Sequence, residues 1–397
     1  MDTIPDYMTR FVNIQELSDQ DPKFELKSDS KIKIKLKPHQ QTILKAAIDL
    51  ENKIPKKNES VELISKIGVL CDKVGSGKSL EVLSIIDSND APKITVSEQF
   101  KNNMDNSIFY RDLAFEKEMN SVISIPLNII VVPNNIVSQW NEYLKRYTEF
   151  NYTVIKNKKT REKFNASLIS NTQKDTFDLE QISNFIKQIG ELLLVSSTQY
   201  RDFYDQFIEC FPHKKYMIHR LIIDEADSIK IARMPEINAS FYWFVTSSYS
   251  ALQNPLGYNG YWNTVQNTYT RYWYHDSQWN GTREQDYVEI NISGLTSTGF
   301  IRDTFSMINK NREHSVDINK LIYLKNNDDY VKNSFNLIDP NIFNIICKNP
   351  RELNILNNIV DNNIIHMINA GNIIGAIEKI NCNKTNETNL IQLVTEE

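Results

Sequence analysis

Between Val61 and Val245 short apolar runs alternate with longer amphipathic stretches. Ile67–Cys71, Ile129–Val132, Tyr152–Ile155, Leu192–Ser196, Leu221–Ile223 and Tyr242–Val245 are rich in branched residues and too short for helices, so they predict buried strands. The segments between them carry helical spacing: one helix starts at Lys78, a second covers Val137–Tyr147, and further helical material ends near Ile189. Strands that are apolar throughout, separated by helices, imply an α/β fold with a parallel sheet and helices on both faces. Upstream, Lys31–Lys37 alternates Lys with Ile32, Ile34 and Leu36, a period of two that predicts a strand with one buried face, ended by Pro38. Gln40–Leu50 then places Ile43, Leu44, Ala47 and Ile48 at helical spacing.

The stretches 88–124 and 156–180 are longer than ordinary connections and read as insertions or surface loops. After Val245 the character changes. Gly257–Tyr287 is dense in Tyr and Trp without a clear period, and reads as an aromatic-filled packing or protein-contact module rather than a stacking platform, because it holds few basic residues, Arg271 and Arg283 among them. Strand-like Leu321–Leu324 and helical Arg351–Met367 and Asn372–Ile380 follow. The expected division is a lead-in at 1–30, a sheet lobe at 31–255, an aromatic-rich linker or protrusion at 256–320, and a smaller mixed C-terminal region at 321–397, a partial second lobe or helical extension.

Composition narrows the picture. The 397 residues include 45 Lys and Arg against 50 Asp and Glu, a net charge of -5, so any polyanion must meet a local basic groove rather than the whole surface. Cys71, Cys210, Cys347 and Cys382 form no CxxC pair, which argues against a zinc site or a disulfide framework and favours a reducing compartment. The N-terminal residues show no basic segment followed by a long apolar run, and no apolar stretch exceeds strand length, so no membrane partner is expected. Richness in Asn, Ile and Lys fits an A/T-rich genome, such as that of a large DNA virus or a protist.

The chemistry concentrates in two places. In Gly68–Ile86 an apolar strand enters Gly75-Ser76-Gly77-Lys78-Ser79 and continues into a helix. Glycines let backbone N–H groups turn toward phosphate oxygens, the helix start adds partial positive charge, Lys78 would reach the β- and γ-phosphates, and Ser79 would hold magnesium. Asp72 stands where the general phosphate-loop pattern has its first Gly, so by itself the run is compatible with a Gly-rich turn. Downstream, Arg220–Lys230 reads RLIIDEADSIK and puts Asp224 and Glu225, within the letters of a DEAD box, at the C-terminal end of a strand. Ligands bind at that edge of parallel sheets. Asp224 would hold Mg2+ and Glu225 would polarise the attacking water. Alone, the pair also suits a helix N-terminus. Gln40, in LKPHQ, offers an amide that matches the donor and acceptor of an adenine edge.

Together with IIVVPNNIVSQWNEYLKRY, LLLVSSTQY and FVTSSYSALQNP, these blocks resemble, in order and spacing, the first RecA-like lobe of superfamily II helicases and translocases, most closely the SWI/SNF-type branch. That branch carries Asp at the position of Asp72, so the resemblance turns the departure into support. The resemblance implies Gln40 at adenine, Asp72 and Gly75–Ser79 in the nucleotide loop, Lys78 and Glu225 as catalytic residues, Ser79 and Asp224 at Mg2+, and Thr246, Ser247 and Ser248 coupling ATP state to DNA. It also implies contact of Pro133, Ser196, Ser197 and Thr198 with one strand of duplex DNA through the backbone. Trp140 and Tyr200 lie in the same blocks but read as core packing. Ser228 replaces a usual basic residue, Thr246–Tyr249 replaces Thr-Gly-Thr-Pro, and no segment resembles the QxxGRxxR arginine-finger motif of a second lobe. The tail resembles large-DNA-virus members that continue into a zinc insert and the second lobe.

The implied function is the N-terminal half of an ATP-dependent DNA translocase that uses ATP and Mg2+, needs a second RecA-like lobe in cis or in trans, and turns over weakly alone. Two alternatives stay open: a viral transcription initiation or termination ATPase with RNA polymerase as partner, and a nucleotide-gated scaffold that never closes a cleft. The expected location is intracellular: a viral factory in the host cytoplasm or the virion for a viral protein, otherwise the nucleus.

Overall fold

The computed structural model describes residues 14–52, 65–92, 122–171, 179–213, 215–256, 295–310 and 320–335, short strands elsewhere, and isolated positions between 364 and 379. In chain order the strands are β1 (Glu16–Leu17), β2 (Lys56–Lys57), β3 (Glu62–Leu63), β4 (Ile67–Leu70), β5 (Ile108–Phe109), β6 (Ile123–Val132), β7 (Tyr152–Ile155), β8 (Leu192–Ser196), β9 (Tyr216–Asp224), β10 (Ala239–Val245), β11 (Tyr258–Asn263), β12 (Thr268–Arg271), β13 (Tyr287–Ile292) and β14 (Tyr323–Asn326). The helices used below are α1 (Pro38–Glu51), α2 (Lys78–Ser88), α3 (Val137–Tyr147), α4 (Lys158–Asn171), α5 (Leu179–Ile189), α6 (Tyr200–Cys210), α7 (Ser250–Gln253), α8 (Phe300–Lys310) and α9 (Asp328–Ser334).

Eight strands form one sheet in the order β1-β14-β4-β10-β9-β6-β8-β7, and every neighbouring pair is parallel. The period of two explains why its strands are apolar throughout. Val69, Val131, Leu193, Leu221, Ile223 and Phe244 enter one core with Phe185 of α5, Phe203 and Phe207 of α6 and Phe305 of α8. Their neighbours Leu70, Ile130, Val132, Leu194, Ile222 and Trp243 enter the other, with Ile43 and Leu44 of α1, Val82 and Ile85 of α2 and Trp140 of α3. Each such side chain, fully buried, contributes roughly 1.5–3 kcal/mol before the entropy of ordering is subtracted. This is the parallel α/β arrangement that the sequence pattern predicts, and the RecA-like lobe that the resemblance implies.

Three expectations are revised. Lys31–Lys37 is not a strand: Ile32 makes one isolated antiparallel bridge to Thr148, and Ile34 is exposed while Ile32 and Leu36 are buried. Lys31 O accepts from Glu149 N and Lys33 N donates to Tyr147 O, but the next backbone bond, Gln41 N to Lys37 O, already belongs to the start of α1, so no ladder propagates. The sheet lobe also does not stop near residue 255, because β14 pairs with β4, Tyr323 opposite Val69 and Leu324 opposite Leu70, and α8 supplies one core with Phe300, Ile301 and Phe305. The stretch 321–397 therefore begins inside the sheet; the compact units are Met1–Leu337 and Ile338–Glu397. Nor is the lead-in separate throughout, since Glu16 and Leu17 pair with Lys325 and Asn326.

Within 156–180 the chain forms α4, while most of 88–124 lies outside the described residues. The aromatic-rich stretch contains a three-stranded antiparallel sheet, order β12-β11-β13, whose side chains lie outside the described residues. Leu295 N donates to Pro255 O at 3.0 Å, so the excursion leaves and rejoins the lobe at one point beside α7. The helical expectations at Arg351–Met367 and Asn372–Ile380 fall almost wholly outside the described residues. Among the described residues no helix is long and apolar enough to cross a membrane.

Candidate nucleotide site

At the C-terminal edge of the sheet β4 ends at Leu70, and residues 71–77 form a loop before α2. Gly75 and Gly77 adopt φ of 85° and 96°, the left-handed region that side chains rarely enter. A Cβ on Gly77 would lie 2.4 Å from Gln40 Nε2, whereas one on Gly75 would meet nothing within 4 Å. Thus the loop leans on α1 at one glycine and is open at the other. Lys78 donates through Nζ to the carbonyls of Asp72 at 2.7 Å and Lys73 at 2.9 Å, and Ser79 is half-buried at the helix start.

Gln40 is buried, with both ends of its amide committed. Oε1 accepts from Lys37 N at 2.9 Å, which caps α1, and Nε2 donates to Ser76 O at 3.3 Å. Pro38 at the first helical turn needs no such partner, so Gln40 completes a start that Pro38 favours. His39 joins it: Nε2 lies 2.9 Å from Ser76 O and Nδ1 lies 2.8 Å from Ser334 Oγ of α9. A carbonyl only accepts, so Nε2 carries the proton, and burial holds the ring below the usual histidine range.

Asp72 points away from the loop opening. Its carboxylate accepts from Asn326 N at 2.6 Å and Asn326 Nδ2 at 2.7 Å, and Nδ2 also donates to His39 O at 3.1 Å. Asp72, expected within the nucleotide loop, uses its side chain to bolt that loop to β14. Glu81, one turn into α2, is fully buried, and neither carboxyl oxygen has a hydrogen-bond partner among the described residues. Burial, with the charge of Asp72 adding, pushes its carboxyl well up, toward the protonated form. Ligand atoms of His39, Asp72 and Glu81 lie within 4.8 Å of one another. Because His39 and Asp72 already hold partners, the group acts as a buried bracket beneath the loop rather than as a metal centre.

Asp224 and Glu225 sit two strands away from β4, at the end of β9, with Val245 of β10 opposite Asp224. Asp224 Oδ2 accepts from Trp140 Nε1 at 2.7 Å, and Oδ1 from Glu225 N at 3.0 Å. Burial raises the Asp224 carboxyl while the Trp140 hydrogen bond opposes that rise. Glu225 adopts φ of 50°, a strained conformation for a side-chain-bearing residue of about 1–3 kcal/mol, held by Ala226 N donating to Val245 O at 2.9 Å. It is half-buried, and burial followed by the charges of Asp224 and Asp227 raises its carboxyl, the direction that makes a better base. The Lys78 ammonium opposes the rise at Asp72, Glu81, Asp224 and Glu225 alike, so one cation serves all four.

The coupling candidates are joined to this edge. Thr246, fully buried, donates through Oγ1 to Asp227 Oδ1 at 2.6 Å and accepts there from Ser248 N at 2.8 Å. Ser247 is half-buried and Ser248 exposed. On the next strands, Ser196 Oγ lies 3.0 Å from both Asn134 Oδ1 and Thr198 Oγ1, and Ser197 N donates to Val132 O at 2.8 Å. Pro133 is half-buried beside them and Thr198 is exposed. Trp140 and Tyr200 are buried, as packing residues should be, but each also donates a hydrogen bond, Tyr200 to Pro235 O at 2.9 Å. Sequence reasoning passed over His39, Glu81 and Asn326. His39 had a signal, its place between Pro38 and Gln40, whereas Asn326 had none, being 254 residues from the side chain it holds.

One edge of a RecA-like parallel sheet thus carries a glycine loop after one strand and an acidic pair after another, at the edge where parallel sheets bind ligands. The sequence profile of the SNF2-related domain matches residues 39–240, half of the chain, and the chain belongs to that family. A protein of Acanthamoeba polyphaga mimivirus, provisionally named a helicase, is 24% identical over 445 residues, covering 96% of this chain and 46% of the relative. This chain thus spans about half the length of that relative. Among solved structures, the Sulfolobus solfataricus SWI2/SNF2 ATPase core in complex with dsDNA shares 14% identity over 56% of this chain and 34% of its own, with a TM-score of 0.30. Family membership bears out the resemblance seen in the motifs. It also corrects one label: although Asp224–Asp227 spells Asp-Glu-Ala-Asp, the DEAD-box proteins are a different branch.

Proposed function

We propose that this lobe binds ATP with Mg2+ and forms one half of a DNA-translocating motor. The observation that carries the reading is the convergence at one sheet edge of an open glycine loop, the Lys78 ammonium and the raised Asp224 and Glu225 carboxyls. The residues suit the nucleotide and metal. Gly75 leaves room for phosphate oxygens, Lys78 rests on two carbonyls that a phosphate would replace as its partners, and Ser79 and Asp224 supply hard oxygen donors for Mg2+. Bound there, the metal would neutralise phosphate charge. Glu225 would take a proton from water, aided by its raised carboxyl.

Gln40 Nε2 keeps a second N–H and Oε1 a second lone pair for an adenine edge, while the bond to Ser76 O would tie the adenine position to that of the loop. The polymer is read as DNA from family membership and from the hydroxyls of Ser197 and Thr198 beside Pro133, donors suited to phosphate oxygens without base readout; Ser196 is fully buried with its proton on Asn134 Oδ1, so it would brace this loop group rather than touch DNA. A second RecA-like lobe would have to supply the cations that stabilise phosphoryl transfer, so residues 1–397 alone should hydrolyse ATP slowly. Glu225→Gln tests the reading: a motor lobe retains ATP binding while hydrolysis falls about 100-fold or more. A variant whose hydrolysis matches the wild type would show that Glu225 has no part in turnover. Lys78→Ala should weaken nucleotide binding, measured by equilibrium dialysis.

A further inference from the structure

Asp224, at the end of β9, is held by two donors among the described residues, Glu225 N on Oδ1 at 3.0 Å and Trp140 Nε1 on Oδ2 at 2.7 Å. The first comes from the adjoining backbone, a donor that every residue but proline would supply at position 225. The second is a side chain from another element, 84 positions away in the chain. Trp140 lies on α3, is 1% exposed, and its ring is fixed in the core that holds Leu70, Ile130, Val132, Ile222 and Val245. An indole has one N–H and no acceptor, so it can direct a carboxylate oxygen but cannot itself ligate a cation. The arrangement is that of a rigid donor aiming a ligand from behind, and such donors tune metal affinity because the ligand needs no reorganisation when the ion arrives.

The placement adds a second feature. α3 follows directly on Pro133 and the single turn Asn134–Ile136, and Asn134 Oδ1 accepts from Ser196 Oγ at 3.0 Å. The helix that carries Trp140 therefore starts in the loop group read above as facing a phosphate backbone.

We propose that Trp140 is a positioning residue for the Mg2+ carboxylate: its indole N–H fixes the orientation of Asp224 and so sets the affinity of the lobe for Mg2+ with nucleotide. The proposal rests on the reading of Asp224 as a magnesium ligand. The test is Trp140→Phe in the full 397-residue chain, which keeps an aromatic ring in the core and removes the donor. ATP hydrolysis is measured against free Mg2+, and ADP binding is measured with and without Mg2+.

The expected result is a rise of about tenfold or more in the Mg2+ concentration giving half-maximal activity, with metal-free ADP affinity unchanged and kcat at saturating Mg2+ within about threefold of wild type. A packing role alone would lower the melting temperature and leave the Mg2+ dependence in place, which overturns the proposal. A wild-type chain that shows no Mg2+-dependent nucleotide binding overturns the proposed function, and this inference with it; a wild type that responds while Trp140→Phe matches it overturns the inference alone. Should Trp140→Phe fail to fold, wild-type chain with ring-15N tryptophan answers instead. A hydrogen-bonded indole N–H signal that shifts on adding Mg2+ in the presence of ADP supports the proposal, and indole signals that all stay fixed overturn it.

Discussion

Arg220 and Asp224 lie on the same face of β9, about 13 Å apart along the strand, and both are buried. Their surroundings differ in how completely each charge is met. Arg220 Nε and a terminal nitrogen each donate to Glu51 at 2.7 Å, its other terminal nitrogen donates to Asn128 Oδ1 at 3.0 Å, and Asn89 O accepts as well. Glu51 in turn accepts from Trp243 Nε1 at 2.8 Å and Asn89 Nδ2 at 2.7 Å. Four of the five guanidinium protons and both oxygens of the Glu51 carboxylate thus have partners. At Asp224 two donors meet a carboxylate able to accept about four bonds. The same strand thus carries a closed charge network at one level and an open one at the ligand edge. Closed networks lock structure, and open ones keep capacity for a ligand.

Breaking the closed network should have the largest effect on stability. Glu51→Ala leaves Arg220 buried without its anion and should cost about 3–5 kcal/mol, read from urea unfolding. A loss below about 1 kcal/mol would mean that water reaches Arg220 and that the network is not closed.

The second effect is on acid stability. His219, next to Arg220, has its pKa lowered to about 4 from 6.5, by burial first and then by the Arg220 charge. The unfolded chain then takes up the proton first, so the contribution of neutral His219 is complete above about pH 6.5 and is lost as pH falls toward 4. The loss amounts to about 3 kcal/mol. The raised carboxyls of Glu81 and Asp72 act in the opposite sense, losing their stabilisation as pH rises through their folded values. The clean measurement is therefore the difference between wild type and His219→Asn in urea unfolding across pH 4 to 7, which should shrink toward acid. A constant difference would contradict the assignment.

A smaller change sharpens the contrast at the ligand edge. Thr246→Val removes the hydroxyl that joins Asp227 to Ser248 N, and should cost about 1.5–3 kcal/mol of stability, seen in the same urea unfolding. The smallest stability effect should come from Asp224→Asn, within about 1 kcal/mol of wild type because a buried charge is relieved, while Mg2+-dependent nucleotide binding is lost. Large destabilisation by Asp224→Asn would erase the distinction between the two ends of β9.

Much of this was legible in the chain. Val137–Tyr147, Tyr152–Ile155 and Leu192–Ser196 have the ends that their periodicity predicts, because each couples a clean apolar pattern to a clear boundary. The phosphate loop and the Asp224–Glu225 pair were legible for a different reason: their chemistry is local, needing neighbours in sequence and a strand behind them. Lys31–Lys37 misled because alternation specifies a strand only where a partner strand runs alongside, and here one bridge is all that forms. The boundary at 255 misled because an aromatic-rich excursion interrupts a lobe that resumes with α8 and β14, and composition marks the excursion without marking the return.

The sequence by itself determined the layered α/β fold, the glycine loop with Lys78 and Ser79, and the acidic pair, since each follows from periodicity or from residues a few positions apart. Only the tertiary structure decided that Asp72 faces Asn326 rather than the loop opening, that Gln40 and His39 both brace Ser76, and that Trp140 holds Asp224. The physical reason is range. A parallel sheet brings strands far apart in sequence to within about 5 Å of one another, and the partners of buried polar side chains are chosen there, by geometry and by the cost of leaving such groups unmet.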